Sequence, residues 1–259
     1  MRSRNFTIPL AAGLLAAGCV GCTGQGTGDS RQAGAARHQV ALKKGASSPS
    51  PTPPPARRID CVQVKCLALT FDDGPGEYTG QVMDDLRKAG ARATFFMLGQ
   101  NVGMHKDLVR RMVMEGHEVA NHTWSHEDLT GLSSGGVRSQ VDRTQQAIKA
   151  ASGVAPTMFR PPYGATDAQV GKAVGMPQIM WSVDSLDWLH RNERRNVRAG
   201  VNEPEKGGVV LFHDIHKPTV TAVPEIVSGL EKRGFTLVTV SELFQSKRLK
   251  PGAKYTHLW

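Results

Sequence analysis

The stretch Cys66-Leu67-Ala68-Leu69-Thr70-Phe71-Asp72-Asp73-Gly74-Pro75 is an apolar run that ends on two adjacent carboxylates, a glycine and a proline. Such a run predicts a buried strand that stops at a turn where it meets solvent. Neighbouring residues on an extended chain point to opposite sides, so Asp72 and Asp73 are expected to have different partners. One could hold a metal while the other handles a proton. Asp-Asp-Gly-Pro is also ordinary turn chemistry, so the reading depends on the rest of the chain.

Downstream, strand and helix patterns alternate. A strand over 65–71 leads to a helix over 80–89, with Gly90 as its C-cap, and to a second strand over 93–98. A helix over 106–115 ends at Gly116 and precedes a third strand over 118–121. A long helix over 133–152, a fourth strand over 157–160, a helix over 166–174 and a fifth strand over 178–183 follow. The pattern closes with a helix over 196–203, a strand over 208–212, a helix over 221–233 and a seventh strand over 235–240. Strands alternating with helices imply a parallel α/β sheet with right-handed crossovers, either open and doubly wound or closed as a barrel. No G-x-G-x-x-G follows the first strand, so a dinucleotide fold has no support.

In parallel α/β folds the chemistry collects where strands end. Asp72-Asp73 ends the first strand, and His122-Thr123-Trp124-Ser125-His126 follows the third. Arg160-Pro161-Pro162-Tyr163-Gly164, Asp184-Ser185-Leu186-Asp187-Trp188 and His213-Asp214 end the fourth, fifth and sixth. His122 and His126 are four residues apart, so on one helical turn both imidazoles would face a common point. Two histidines and a carboxylate give a divalent metal three protein ligands and leave positions open for water and substrate.

T-F-D-D-G, H-T-W-S-H, R-P-P-Y-G, D-S-L-D-W and L-F-H-D occur here in the order and rough spacing of the polysaccharide deacetylases. Over about 66–244 the chain resembles their NodB homology domain, carbohydrate esterase family 4. The resemblance implies a distorted (β/α) barrel with about seven parallel strands and metal-dependent removal of acetyl groups from polysaccharides. Carried onto this chain, it implies Asp73, His122 and His126 as metal ligands and Asp72 as the general base that takes a proton from water. Arg160 would orient and charge-pair with that base. The Tyr163 backbone N–H would help hold the oxyanion. His213 would protonate the leaving amine, oriented by Asp187, with Asp184 the second choice on spacing. Pro161, Trp188 and Leu211 resemble walls of the substrate groove and acetyl pocket. Zinc suits the donor set first, with cobalt, nickel or manganese as alternatives. Asp214 reads as a strand-end hydrogen-bonding residue, and His105, His117 and His216 match no role.

Arg2 and Arg4 precede a short apolar run, and Leu15-Ala16-Ala17-Gly18-Cys19 resembles a bacterial lipobox with Ala16 where leucine is usual. Residues 1–22 are therefore read as a signal peptide of lipoprotein type with Cys19 lipidated; an ordinary cleaved signal is the alternative. Residues 23–58 are rich in Gly, Ser, Ala and Pro and cannot bury enough apolar surface to order themselves. Extended, that linker would reach roughly 110 Å, enough to hold a domain off a membrane within a surrounding wall. A catalytic domain over 59–245 and a solvated basic tail over 246–259 complete the organisation. Cys61 and Cys66 could close a short disulfide loop in an exported protein or remain free thiols.

The formal charge of +9 is compatible with an acidic polymer, but no nucleic-acid module is recognisable. A monomer that meets the membrane only through a lipid anchor is expected. The leading substrate is peptidoglycan, through its N-acetylglucosamine residues. Chitin, chitooligosaccharides and acetylxylan are alternatives that the motifs do not separate. Two rivals are a hydrolase of cyclic imides or ureides on a related barrel and an inactive wall-binding module.

Overall fold

The run that opens the sequence argument forms β1 (Cys66–Asp72), and all seven of its residues are buried. A strand covered on both faces needs apolar residues at odd and even positions, which explains the near-continuous run. The computed structural model describes residues 54–55 and 57–259. The signal segment, Cys19 and the linker as far as residue 53 lie outside the described residues.

From β1 the chain proceeds through α1 (Thr79–Lys88), β2 (Thr94–Met97), α2 (Gly99–Val102), α3 (Lys106–Met114), β3 (Glu118–Asn121) and α4 (Ser134–Ser152). There follow α5 (Ala168–Val174), β4 (Gln178–Ile179), β5 (Val183–Asp184), α6 (Asp187–His190) and α7 (Glu193–Asn202). The last elements are β6 (Val209–His213), α8 (Lys217–Lys232), β7 (Thr236–Val238), α9 (Val240–Leu243) and β8 (Lys254–Tyr255).

Every pairing between these strands is parallel. The main sheet runs β3-β2-β1-β6-β5, and β7 pairs with the first residues of β1. Phe159 bridges Asn121 on one side and Gln178 on the other, β4 pairs with β8, and His257 bridges Gly208 beside β6. The α/β sheet therefore curls into a distorted barrel of the expected kind.

Alternation along β1 sorts its side chains. Leu67, Leu69 and Phe71 join Val82 and Leu86 of α1 and Val223 and Ile226 of α8 in the layer between barrel and helices. Cys66 and Ala68 join Phe96, Ala120, Ile179 and Val209 in a second cluster. Full burial of a leucine or phenylalanine is worth about 1.5–3 kcal/mol, so the two clusters together fix which face is inside. Thr70 and Asp72 continue the second face towards the strand end.

Several expectations need correction. The fourth strand is reduced to the bridges at Phe159, because Pro156, Pro161 and Pro162 limit the ladder on both sides. The fifth breaks into β4 and β5, where the carbonyls of Ile179 and Met180 accept from the Arg160 side chain at 2.8 and 3.1 Å. The helix expected from residue 221 begins at Lys217, with Pro218 in the first turn where its missing N–H costs nothing. The seventh strand stops at Val238, because Thr239 and Glu242 form a capping box that starts α9. Residues 246–259 are not a solvated tail: β8 extends the pairing of β4, and Leu258 is buried. Cys61 and Cys66 are joined as a disulfide ahead of β1.

Candidate active site

The parallel register of β1 and β6 pairs Asp72 with His213, so two functional side chains leave the barrel at one level. Asp72 lies on the inward face and meets Arg160, a fully buried arginine. The Arg160 guanidinium donates to Asp72 Oδ1 at 2.7 Å and to Thr70 Oγ1 at 2.8 Å, and lies 4.1 Å from the Phe96 ring centre. With Ile179 and Met180 as further acceptors, each of the three guanidinium nitrogens has a partner inside the barrel. Burial pushes the Asp72 carboxyl above its ordinary range, although Arg160 opposes the shift.

Asp73 has left the strand, with φ at 72°. Its Oδ1 lies 3.6 Å from His122 Nε2 and 3.5 Å from His126 Nε2. Asp72 Oδ2 is also 3.6 Å from His122 Nε2, so the adjacent carboxylates have different main partners but share one imidazole. The two histidines are not on a helix, contrary to expectation. They sit in a loop in which Thr123 (φ 72°) and His126 (φ 62°) are left-handed. That loop is built by side chains: Asn121 Oδ1 accepts from Thr123 N–H, Thr123 Oγ1 from His126 N–H, and Gln140 Oε1 from both Trp124 and Ser125. Each such bond replaces the helical bond that the loop forgoes.

Four observations test whether this cluster fits a metal. One ligand atom from each of Asp73, His122 and His126 lies within 4.8 Å of the others. Asp73 Oδ1 is buried and has no hydrogen-bond partner among the described residues, a costly state unless a cation completes it. His122 Nδ1 is 2.7 Å from the Arg160 carbonyl, which assigns the proton to Nδ1 and leaves Nε2 with its lone pair towards Asp73. Burial holds the His122 pKa down to about 3, so the ring is neutral and able to ligate. The donor set fits a divalent cation.

On the other side, His213 Nδ1 is 2.7 Å from Asp187 Oδ1. Asp187, and not Asp184, therefore faces His213. Its carboxylate also accepts from His213 N–H, Trp188 N–H and Thr219 Oγ1, which fixes it from four directions. Burial disfavours the His213 imidazolium, but the hydrogen bond and charge of Asp187, with the charges of Asp72 and Asp73, outweigh it and lift the pKa to about 9. Asp184 Oδ1 instead accepts from Leu186 N–H within the turn.

A pocket of about 410 Å³ joins these groups. Asp72, Asp73, His122, His126, His213, Pro161, Tyr163, Trp188 and Leu211 all line it, as does Asp184. Arg160 and Asp187 stand behind it. Tyr163 is 71% exposed, with its ring 4.6 Å from that of His126 and its φ at 59°. Cys61 and Cys66 belong to the start of the domain and not to this pocket. Trp181 also lines it and carried no sequence signal, because it lies within the stretch read as one continuous fifth strand and is turned to the pocket by the break between β4 and β5. Asp214 packs against Gly74, where a Cβ would lie 2.5 Å from its carboxylate oxygens. Burial pushes Asp214 up to about 7, and Thr79 Oγ1 donates to it, as suits a residue that anchors the Asp73 loop.

The polysaccharide deacetylase family profile matches residues 60–178. A peptidoglycan-N-acetylglucosamine deacetylase of Listeria monocytogenes is 42% identical over 195 residues, covering 74% of this chain and 41% of its own length. The chain thus spans about two fifths of that relative. A solved deacetylase structure with substrate is 45% identical and superposes with a TM-score of 0.75 over 76% of this chain and 99% of its own. A family 4 acetyl xylan esterase from Clostridium thermocellum, solved with a cobalt ion, is 32% identical, with a TM-score of 0.72 over 75% of this chain and 99% of its own. With matches of this extent falling on a barrel whose strand ends gather those side chains, the chain belongs to the polysaccharide deacetylase family.

Proposed function

We propose that the protein hydrolyses acetamide groups on the N-acetylglucosamine residues of a cell-wall polysaccharide, peptidoglycan first. The observation that carries this reading is the pairing, across one pocket, of a buried carboxylate and an imidazole on either side of a fitted cation site. Asp73, His122 and His126 would hold the cation, zinc by preference. When bound, it would polarise the acetyl carbonyl and make the attacking water more acidic.

Asp72 takes the proton of the attacking water. Its raised basicity suits the task, and Arg160 fixes the oxygen that does not receive the proton. The Tyr163 N–H donates to the carbonyl oxygen as negative charge develops. His213 uses Nδ1 on Asp187, so Nε2–H is the donor available to the leaving amine. Trp188 and Leu211 flank the acetyl methyl, and Pro161 the sugar. An exported and lipid-anchored protein on a long tether, as the N-terminal sequence reads, would reach such a substrate.

Incubation of the full chain with purified peptidoglycan should release acetate and leave an equal amount of free glucosamine amine. Release from chitooligosaccharides but none from peptidoglycan would overturn the substrate and keep the reaction. Asp187→Asn should move the alkaline limb of the rate profile. His213 must be protonated to act as acid, and its folded pKa near 9 is held up by Asp187. Activity therefore persists below that value and falls as pH rises through it. Without the carboxylate charge the fall should begin at lower pH, with the rate at neutral pH down about 10²-fold or more. An unmoved limb would remove His213 from the acid role.

A further inference from the structure

Arg191 is the C-cap residue of α6, three positions after the pocket-lining Trp188, and has no part in the chemistry above. Its backbone is left-handed, with φ at 47°. Its side chain is exposed, yet the guanidinium is fixed in place. Nε donates to the Trp188 carbonyl at 2.8 Å, and Nη1 lies 2.6 Å from His216 Nδ1. Among the described residues no carboxylate forms an ion pair with it. Arg57, Arg92, Arg111 and Arg160 each have one. Arg195 repeats the pattern, with Nη1 2.9 Å from His190 Nδ1. An imidazole acceptor positions a guanidinium without cancelling its charge.

The place is specific. Trp188, whose carbonyl holds Arg191, lines the pocket, and the His216 ring is 5.8 Å from that of His213. Arg194, Arg195 and Arg198 follow in the same segment, and Glu193 is its one acid after the buried Asp187. Two of the five Arg191 N–H donors are used, leaving a fork of the kind that recognises carboxylates.

We propose that Arg191 is an anion subsite of the groove, which binds a carboxylate carried by the polymer beside the acetylated sugar. This rests on the proposed reaction and narrows its substrates to acidic glycans. Peptidoglycan offers such carboxylates on its stem peptides and, where no stem is attached, on the lactyl ether of muramic acid. Chitin offers none.

The test uses the full chain and its Arg191→Gln and Arg191→Lys variants on three substrates. These are an N-acetylglucosamine tetramer, a peptide-free glucosaminyl-muramyl oligosaccharide, and the same glycan with stem peptides. Arg191→Gln should raise KM about tenfold or more for at least one acidic glycan and leave kcat/KM for the neutral tetramer within about twofold. Arg191→Lys should recover part of the loss. A KM effect confined to the peptide-free glycan assigns the lactyl carboxylate, which becomes an amide once a stem is attached; one confined to the peptide-bearing glycan assigns the stem carboxylates, and one on both means that the fork takes either. Equal losses on all three substrates would mean that Arg191 only caps α6, and no loss would mean that it binds nothing; either overturns the proposal. If the wild-type chain releases acetate from none of them, the reaction is wrong. The subsite is then judged by calorimetric binding of the same glycans, where Arg191→Gln must weaken the acidic ones alone.

Discussion

Asp72→Asn should lower acetate release by about 10³-fold or more while the protein still binds one divalent cation. A positioned general base is worth roughly 10²–10⁴ in rate, and an amide in this place accepts no proton. The ligand atoms of Asp73, His122 and His126 are untouched by the change. The Arg160 guanidinium keeps Thr70, Ile179 and Met180 as acceptors but loses its ion pair inside the barrel. Half-broken buried pairs cost about 3–5 kcal/mol, and the Asn oxygen retains one hydrogen bond, so a lower Tm is expected with the fold intact. Rate, cation content and circular dichroism on one preparation separate these effects. Undiminished turnover would show that Asp72 is not the base.

His122→Ala should be as damaging by a different route. It deletes a ligand and leaves the Arg160 carbonyl and Asp73 Oδ1 without the imidazole between them. Cation affinity should fall about 100-fold or more, and acetate release should drop to background at micromolar cation. Excess cation should restore part of the rate in this variant and none in Asp72→Asn. That contrast distinguishes a lost ligand from a lost base. Competition with a chromogenic chelator reads the affinity, and an unchanged affinity would remove His122 from the ligand set.

The β1 strand and its two carboxylates were legible because a fully buried parallel strand is written as an unbroken apolar run, and Gly74-Pro75 stops it. The order of strands and helices was legible for the same reason: each buried face imposes its own period. What stayed hidden depends on bonds between distant residues. Arg160 lies far from Ile179 and Met180 in sequence, so nothing local announced that their carbonyls would turn inward and divide the fifth strand. The histidine pair had helical spacing, and its true loop requires Gln140, well downstream, to hold Trp124 and Ser125. Left-handed backbone at Asp73, Thr123, His126, Tyr163, Leu186 and Arg191 carries no local signature, because none of these is glycine. Such positions are strained by about 1 kcal/mol or more each and persist where tertiary contacts over-determine them. Asp73, His126 and Tyr163 line the pocket, and Thr123, Leu186 and Arg191 lie within three residues of one that does. The Thr239–Glu242 capping box is present in the sequence but is masked by the alternating apolar run that continues into Val240.

The central claim is that Asp73, His122 and His126 hold a cation without which no acetate is released. It is tested most directly by titrating metal-stripped protein with zinc while acetate release from one acetylated glycan is followed. The account predicts no release from the stripped protein, a linear rise to one zinc per chain, and a plateau beyond it. Full release from protein that elemental analysis finds free of metal would contradict it.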